Sequence, residues 1–585
     1  MNIVMKTEKK YNPLPDSLAR FQRNDSLLNH KLFSYLPFMI LTNLSTLLLS
    51  SVDGLVVGNL VGSSALSSVS IFRPVAIVIS LVSVFIATGI ATALSTRMGE
   101  NRIDELAALK KSARLILIVS ALAVAAIEFP VAAVLIHSYQ LSAEMEDLVW
   151  QYGMGVLISM PFGLVSTVCV YENQILGLSK ILTLQAAVEG ITNLVLDLLF
   201  VGALDMGVAG AGYGTAAANI IRCTISILYL CKKTDIFRCK GAKIRKQDIR
   251  LILTSGYVET IYMIMMSIQS FFMITLILGM FGETGGVING VCSFCLSIAT
   301  VAIQSIQGSA RPLAGIYTGA RDIVGMRFLI RRSILLMLSF LSLMTIIVLL
   351  IPGSFYHLNG VTEVPEYGFL CLGLYSMHFI LRGINSIFRL YFATKRENRF
   401  SFIVTIAGYA ALPVFAYLFS RQYKPLLWLA YGVVEGILLL VHFAHYAFCV
   451  IKDKEAESEG ADVLYLTVEP QDAVEASQSI RRYAEERGYP KRLAYRAALC
   501  MEEMIHYVVD ADGSDRVNTQ LMIRFSPESC IFTIMDDGRC IMLDEDEETK
   551  ELITNYSLIR KIATSVSYQY ILNLNYSVFE FRDAA

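Results

Sequence analysis

The chain has 585 residues, 55% hydrophobic and 17% charged, with 49 basic against 50 acidic side chains and a formal net charge of -1. Its mean hydropathy of +0.55 excludes an ordinary soluble globule; no nucleic-acid partner is expected, although the total charge by itself says nothing about one. The near-zero total averages two unlike parts, an apolar one and a charge-rich one, that meet near residue 452.

Residues 1–31 form a basic tail without the apolar stretch of a cleavable signal, so the first span is expected to direct insertion itself. Twelve apolar runs of about 20 residues or more follow, long enough to cross a bilayer. They fall near 33–56, 67–95, 113–136, 148–170, 181–201, 207–231, 249–279, 284–308, 329–351, 367–392, 400–420 and 425–450. The basic residues of the connections lie on one side of such a chain: Arg97, Arg102, Lys110 and Lys111 after run two, Lys232 to Arg250 after run six, Arg327, Arg331 and Arg332 after run eight, and Lys395, Arg396 and Arg399 after run ten. The opposite side has only Arg421 and Lys424. By the positive-inside rule both termini are expected in the cytoplasm, with the protein multi-pass in the cell (inner, cytoplasmic) membrane and the lipid bilayer its surroundings.

The spans divide into six-helix lobes at 32–231 and 249–451, joined by a basic loop at 232–248. Gly99-Glu-Asn-Arg102 before Lys110-Lys111 is echoed by Gly319-Ala-Arg321-Asp322 before Arg331-Arg332. Matching positions in two halves suggest a duplicated transporter with its substrate path between the lobes.

Asp53 and Asp197 lie within apolar runs, where a carboxylate costs several kcal/mol unless it is protonated, paired or hydrated. Asn193 precedes Asp197 by four residues and shares its helix face, and Thr215 follows a glycine-rich stretch in the next span. Two carboxylates, an amide and a hydroxyl suit a hard monovalent cation or a shared proton. The structural alternatives are a span-end Asp53 that snorkels to the headgroups and an interhelical hydrogen bond for the others. Glu259 is a candidate acid for the second lobe. Arg73, Arg222 and Arg382 are candidates for pairing with acids, for the interface, or for a path taken by anionic groups.

Ser51-Val-Asp53-Gly-Leu-Val-Val-Gly58, Ala87-Thr-Gly89 through Arg97-Met-Gly99, Asn193-Leu-Val-Leu-Asp197 with Gly207-Val-Ala-Gly210-Ala-Gly212, and Gly308-Ser-Ala-Arg311-Pro312-Leu-Ala-Gly315 together resemble the multidrug and toxic compound extrusion (MATE) family of antiporters. The resemblance covers about residues 30–450. It implies an all-α polytopic fold of twelve transmembrane helices in two lobes. It also implies a cation site in the first lobe, which maps to Asp53, Asn193, Asp197 and Thr215. The implied activity is secondary active antiport exporting drugs or other small organic compounds (xenobiotic export) in exchange for Na+ or H+. Such a protein is a transporter, with no catalytic residue and no bound metal centre.

After a linker at 452–461, residues 462–585 read as an α+β unit facing the cytoplasm, with strands near 463–468, 519–525 and 529–536, helices near 472–487, 490–510 and 555–565, and a closing strand pair through Phe581. Ala497-Ala-Leu-Cys-Met-Glu502-Glu503-Met-Ile-His506, Asp536-Asp537-Gly538 and the stretch from Ser557 to Tyr568 resemble the GHKL ATPase fold, particularly anti-sigma-factor type kinases. The departures count for more. His506 stands where that family has a Mg2+-binding Asn, Cys540 where it has a second Gly, and Asn555-Tyr556-Ser557 where it has a glycine-rich lid. Glu502, His506, Asp536 and Gly538 are therefore read as a degenerate nucleotide site. Mg-ATP is not expected there, and the unit is expected to regulate or to dock a cytoplasmic protein partner. Two other functions fit less of the sequence: a membrane sensor with a GHKL-type output domain, and a lipid-linked sugar flippase of the same superfamily.

Overall fold

The computed structural model describes residues 16–100, 103–175, 178–233, 243–359, 361, 363–395, 397–458, 462–512, 517–540 and 559–583. Thirteen labelled helices come first. They are α1 (Ser26–Leu60), α2 (Ser63–Gly99), α3 (Ile103–Ser138), α4 (Ala143–Ile175), α5 (Ser179–Asp197), α6 (Gly207–Lys233), α7 (Lys246–Gly282), α8 (Thr284–Gly319), α9 (Ile323–Leu350), α10 (Gly368–Ser376), α11 (His378–Thr394), α12 (Asn398–Gln422) and α13 (Leu429–Ser458). Nine segments among the described residues are long and apolar enough to cross a membrane. The first, sixth and tenth sequence runs lie in α1, α6 and α10–α11. Leu122, Val134, Leu350 and Leu440 stand two-thirds exposed or more on outward faces, as lipid-facing side chains do. The chain is a multi-pass membrane protein.

Two breaks in these helices have local causes. Between α7 and α8 the backbone turns at Gly282 (φ 61°, ψ -146°), a conformation that a Cβ would oppose. The tenth run, read as one span, is instead divided at Met377. There Ser376 Oγ donates to Gly373 O at 2.9 Å and His378 Nδ1 meets Tyr375 O, so side chains claim carbonyls that the helix ladder would use.

Helices α1–α6 pack as one bundle and α7–α13 as another, with α2 against α7 and α8 as the main seam between them. Glycines set its closeness. A Cβ on Gly89 would fall 2.4 Å from Ile252 O, one on Gly99 2.3 Å from Ile316 O, and one on Gly319 2.3 Å from Thr96 O. The last two contacts lie at the end of the bundle nearest the tail, where the halves are in backbone contact.

The tail follows with β1 (Asp462–Leu466), α14 (Ala473–Glu486), α15 (Lys491–Asp512), β2 (Thr519–Phe525), β3 (Ser529–Asp536), β4 (Ser565–Ile571) and β5 (Leu574–Arg582). The strands form one antiparallel sheet in the order β1-β2-β3-β5-β4. Alternating apolar residues of the sheet, such as Leu521, Ile523, Phe525, Phe532 and Phe579, bury against Ile480, Ala497, Met501 and Met504 of the two helices. Of the helix expected near 555–565, Ile559 to Ile562 are helical, and residues 555–558 lie outside the described residues, as do the acid-rich 544–551.

The amino-terminal segment, expected as a separate basic tail, is part of this unit. Leu18 and Phe21 enter its core, and Thr467 N donates to Phe21 O at 2.9 Å beside β1. Arg23 then bridges to the bundle, bonding Asp322 Oδ2 at 2.5 Å and the Gln520 carboxamide oxygen. The β4–β5 hairpin supplies a second anchorage. Its turn places Leu572 (φ 55°) and Asn573 (φ 52°) in the left-handed region of a tight two-residue loop. Tyr35 OH donates to Leu572 O at 2.7 Å, Lys31 Nζ to Asn573 O at 2.6 Å, and Tyr576 OH to Gly99 O at 3.0 Å. Leu572 is fully buried in the cluster that joins α1, α2, α8 and α9.

Candidate functional site

Four helices converge on Asp53. Glycines on α4 and α6 remove the side chains that would hold these helices apart. A Cβ on Gly155 would fall 2.2 Å from the carbonyl carbon of Gly212, and one on Gly212 2.3 Å from Tyr152 O. That approach delivers two hydroxyls to one carboxylate oxygen: Tyr152 OH donates to Asp53 Oδ2 at 2.7 Å and Thr215 Oγ1 donates to it at 2.9 Å. Asn193 Nδ2 in turn donates to Thr215 Oγ1 at 3.1 Å.

Asp197 completes the group from the end of α5. It is fully buried, and among the described residues neither of its oxygens has a donor; Asn193 Oδ1 also lacks one. The Asp197 carboxyl is seated against Gly214, where a Cβ would fall 2.2 Å from its Oδ1. The next residues, Leu198–Ala203, widen into a π-helical turn, a distortion frequent at functional sites. The structure therefore brings Asp53, Asn193, Asp197 and Thr215 together and adds Tyr152. The signal for Tyr152 was a hydroxyl in an apolar span beside Gly153 and Gly155, where a partner helix can approach.

Three buried oxygens without donors, beside a carboxylate already bonded by two hydroxyls, form a site rich in acceptors. Leaving such groups unsatisfied costs about 1–3 kcal/mol each, more when charged. A proton on one carboxyl, or a hard cation between them, satisfies them together.

The other residues singled out from sequence are dispersed. Of the readings open for Arg222, the structure shows pairing with an acid: Nη1 bonds Glu189 Oε2 at 2.6 Å and Nε bonds Ser166 Oγ at 2.7 Å within the first bundle. An acid one helix away accounts for its charge. Arg73 is exposed on α2. Arg382 on α11 donates to Tyr262 OH at 3.1 Å and makes no ion pair among the described residues. Glu259 falls in α7, with its side chain outside the described residues. Glu435 is an acid within a second-bundle helix, α13; its Oε2 accepts from Asn385 Nδ2 at 2.7 Å, and Asn385 Oδ1 faces His442 Nδ1 at 2.9 Å.

In the tail, the four residues read as a degenerate nucleotide site do not form one polar cluster. Glu502 accepts from Ser477 Oγ at 2.7 Å, and His506 is exposed. Asp536 is buried and accepts from Asn575 Nδ2 at 2.6 Å and Gly538 N at 3.1 Å. Burial pushes its carboxyl up to about 7 despite those two bonds. Asp537 is held by Asn518 and by His30 at the start of α1. The Asp536-Asp537-Gly538 turn thus bonds its own sheet and the bundle.

Comparison with known proteins agrees with the helical part. Residues 39–199 match the MatE family model. No curated protein matches the chain. Among solved structures, a MATE protein in a bent conformation is similar at a TM-score of 0.68 and 18% identity, over 73% of this chain and 96% of the other. An outward-facing multidrug resistance MATE transporter of the MOP superfamily gives 0.66 and 19%, over 73% and 96%. A MOP superfamily transporter from Pyrococcus furiosus, described as having a binding pocket of reverse polarity, gives 0.65 and 18%, over 72% and 96%. The chain therefore has the fold of MATE transporters, which are transport proteins and not enzymes, and residues 39–199 carry that family's sequence pattern.

Proposed function

We propose that the protein is a secondary antiporter that exports small organic compounds, drugs among them, across the cell membrane in exchange for Na+ or H+. Twelve spans in two lobes carry the substrate path, and both termini lie in the cytoplasm. The observation that carries this reading is the acceptor-rich group of Asp53, Asn193, Asp197 and Thr215 inside the first bundle. Two facing carboxyls in a dry environment compete for positive charge, so one proton or one cation changes the charge state of both. A conformation that hydrates the pair and one that buries it differ in cation affinity, and that difference biases the lobes between their open forms. The backbone contact of the lobes at the tail end, through Gly99 and Gly319, fits a state closed to the cytoplasm.

The tail is a regulatory unit in this reading. Asp537 and Gln520 are engaged in docking, through His30 and Arg23, and the glycines of a phosphate lid are missing from its sequence. A second reading concerns the substrate: Arg382, held by a tyrosine hydroxyl without an ion pair among the described residues, favours compounds that carry an anionic group, as a lipid-linked sugar would. The test is transport in proteoliposomes under separately imposed Na+ and H+ gradients, with a cationic dye and an anionic compound. One gradient is expected to drive export, and Asp53→Asn or Asp197→Asn to abolish it. Wild-type rates in both variants would overturn the proposal.

A further inference from the structure

Where α8 ends and α9 begins, the second bundle and the tail sheet enclose a cleft of about 470 Å³, within the range of small-molecule sites. Four basic residues line it, Arg321, Arg327, Lys395 and Arg524, against two acids, Asp322 and Asp453. Both acids are already matched, Asp322 by Arg23 at 2.5 Å and Asp453 by Lys395 at 2.5 Å. Three guanidiniums remain, and no described carboxylate lies within ion-pair distance of any of them.

Two of the lining residues carry buried polar atoms without protein partners. Arg327 Nε and Nη2 and Thr318 Oγ1 are shielded from solvent and bond no described group. Uncompensated donors of a charged group are costly, so the Arg327 guanidinium is short of partners within the protein. Opposite them the cleft presents Tyr391 and Tyr446, whose rings meet edge to face at 5.0 Å, with Met326 and Val450. One part of the cleft suits an anion and another a flat or apolar group. Arg321 to Tyr446 belong to the bundle and Arg524 to β2, so an occupant would touch both units. None of Asp53, Asp197, Glu502 or Asp536 lines it.

We propose that this cleft binds a phosphate-bearing organic anion, its phosphate held by the guanidiniums of Arg321, Arg327 and Arg524 and its apolar part against Tyr391 and Tyr446. Arginine forks match phosphate oxygens in pairs, and a ligand held from both sides fastens the tail to the bundle. The phosphate comes from one of two sources, a soluble nucleotide-sized metabolite or the headgroup of an anionic lipid.

The full-length protein is titrated calorimetrically in neutral detergent with AMP, and with adenosine as the phosphate-free control. Its thermal unfolding is compared in nanodiscs with and without phosphatidylglycerol. Saturable AMP binding, absent with adenosine and weakened about tenfold or more by Arg327→Gln and by Arg524→Gln, supports a soluble ligand. Stabilisation by phosphatidylglycerol that both substitutions remove supports a lipid. Arg524 lies on the tail and partly exposed, so its substitution tests the site even where Arg327→Gln impairs folding. If neither AMP nor phosphatidylglycerol acts in a way that Arg524→Gln weakens, the proposal is wrong.

Discussion

Arg23 offers the sharpest test of how the tail is held to the helices. Its guanidinium and the Asp322 carboxylate are each about 2% exposed and bond at 2.5 Å. The same guanidinium bonds Gln520 on β2 and lies 5.7 Å from the centre of the Tyr317 ring. Asp322 has a second duty, since its Oδ1 accepts from Gly325 N at 2.7 Å and caps α9. Arg23→Met keeps the apolar bulk and strands a buried carboxylate, at a cost of about 3–5 kcal/mol. Asp322→Asn in the same background removes the charge and keeps an oxygen for the cap, so it restores more than half of the loss. The assay is hydrogen exchange of the β2 amides in the full chain, which reads the opening free energy of the docked tail. An Arg23→Met loss below about 1 kcal/mol, or an Asp322→Asn substitution that deepens the loss, refutes the reasoning.

Three further outcomes are expected. Gly214→Ala places a methyl where Asp197 Oδ1 lies, 2.2 Å away, and overpacking of about 1–3 kcal/mol raises the half-saturating concentration of the coupling ion in transport assays; an unchanged value removes Asp197 from the site. Tyr576→Phe deletes the buried bond to Gly99 O at a cost of about 1 kcal/mol, seen as faster exchange at the β4–β5 hairpin. Asp536 keeps its proton in the fold up to about pH 7, against an ordinary value of 3.8. The folded form binds the extra proton, so stability from this group is complete below about pH 4, falls as pH rises and levels off above about pH 7. Asp536→Asn flattens that fall and raises the melting temperature at pH 8; parallel pH curves for the two proteins would contradict it.

The helices were legible because lipid imposes a simple rule, an apolar run of a given length, and because carboxylates that break the rule are rare. Asp53, Asn193 and Asp197 announced themselves in that way. Tyr152 did not, since a tyrosine in a span reads as packing until Gly155 and Gly212 are known to let its helix in. The division at Met377 was hidden because Ser376 and His378 are compatible with a helix until their side chains choose the backbone. The strands of the tail followed from their alternation. Its attachment to Leu18, Phe21 and Arg23 depends on contacts between residues more than 400 positions apart, which periodicity does not reach. For Arg222 the sequence left open acid pairing, an interface role and an anion path, and Glu189 on the neighbouring helix selects the first.

The buried tip of the β4–β5 hairpin has a mechanical consequence. Leu572 and its neighbours rest on α1 and α2 of one bundle and share a core with α8 and α9 of the other. Any movement that parts the two bundles at this end must first withdraw the tip or break its hold on one side. In the transport cycle proposed above, the free energy of docking adds to the closed form alone, and each 1.4 kcal/mol or so shifts the ratio of closed to open tenfold. In that proposed cycle, whatever loosens the tail is a brake release, setting how often the bundles separate without touching the carboxylates at the far end.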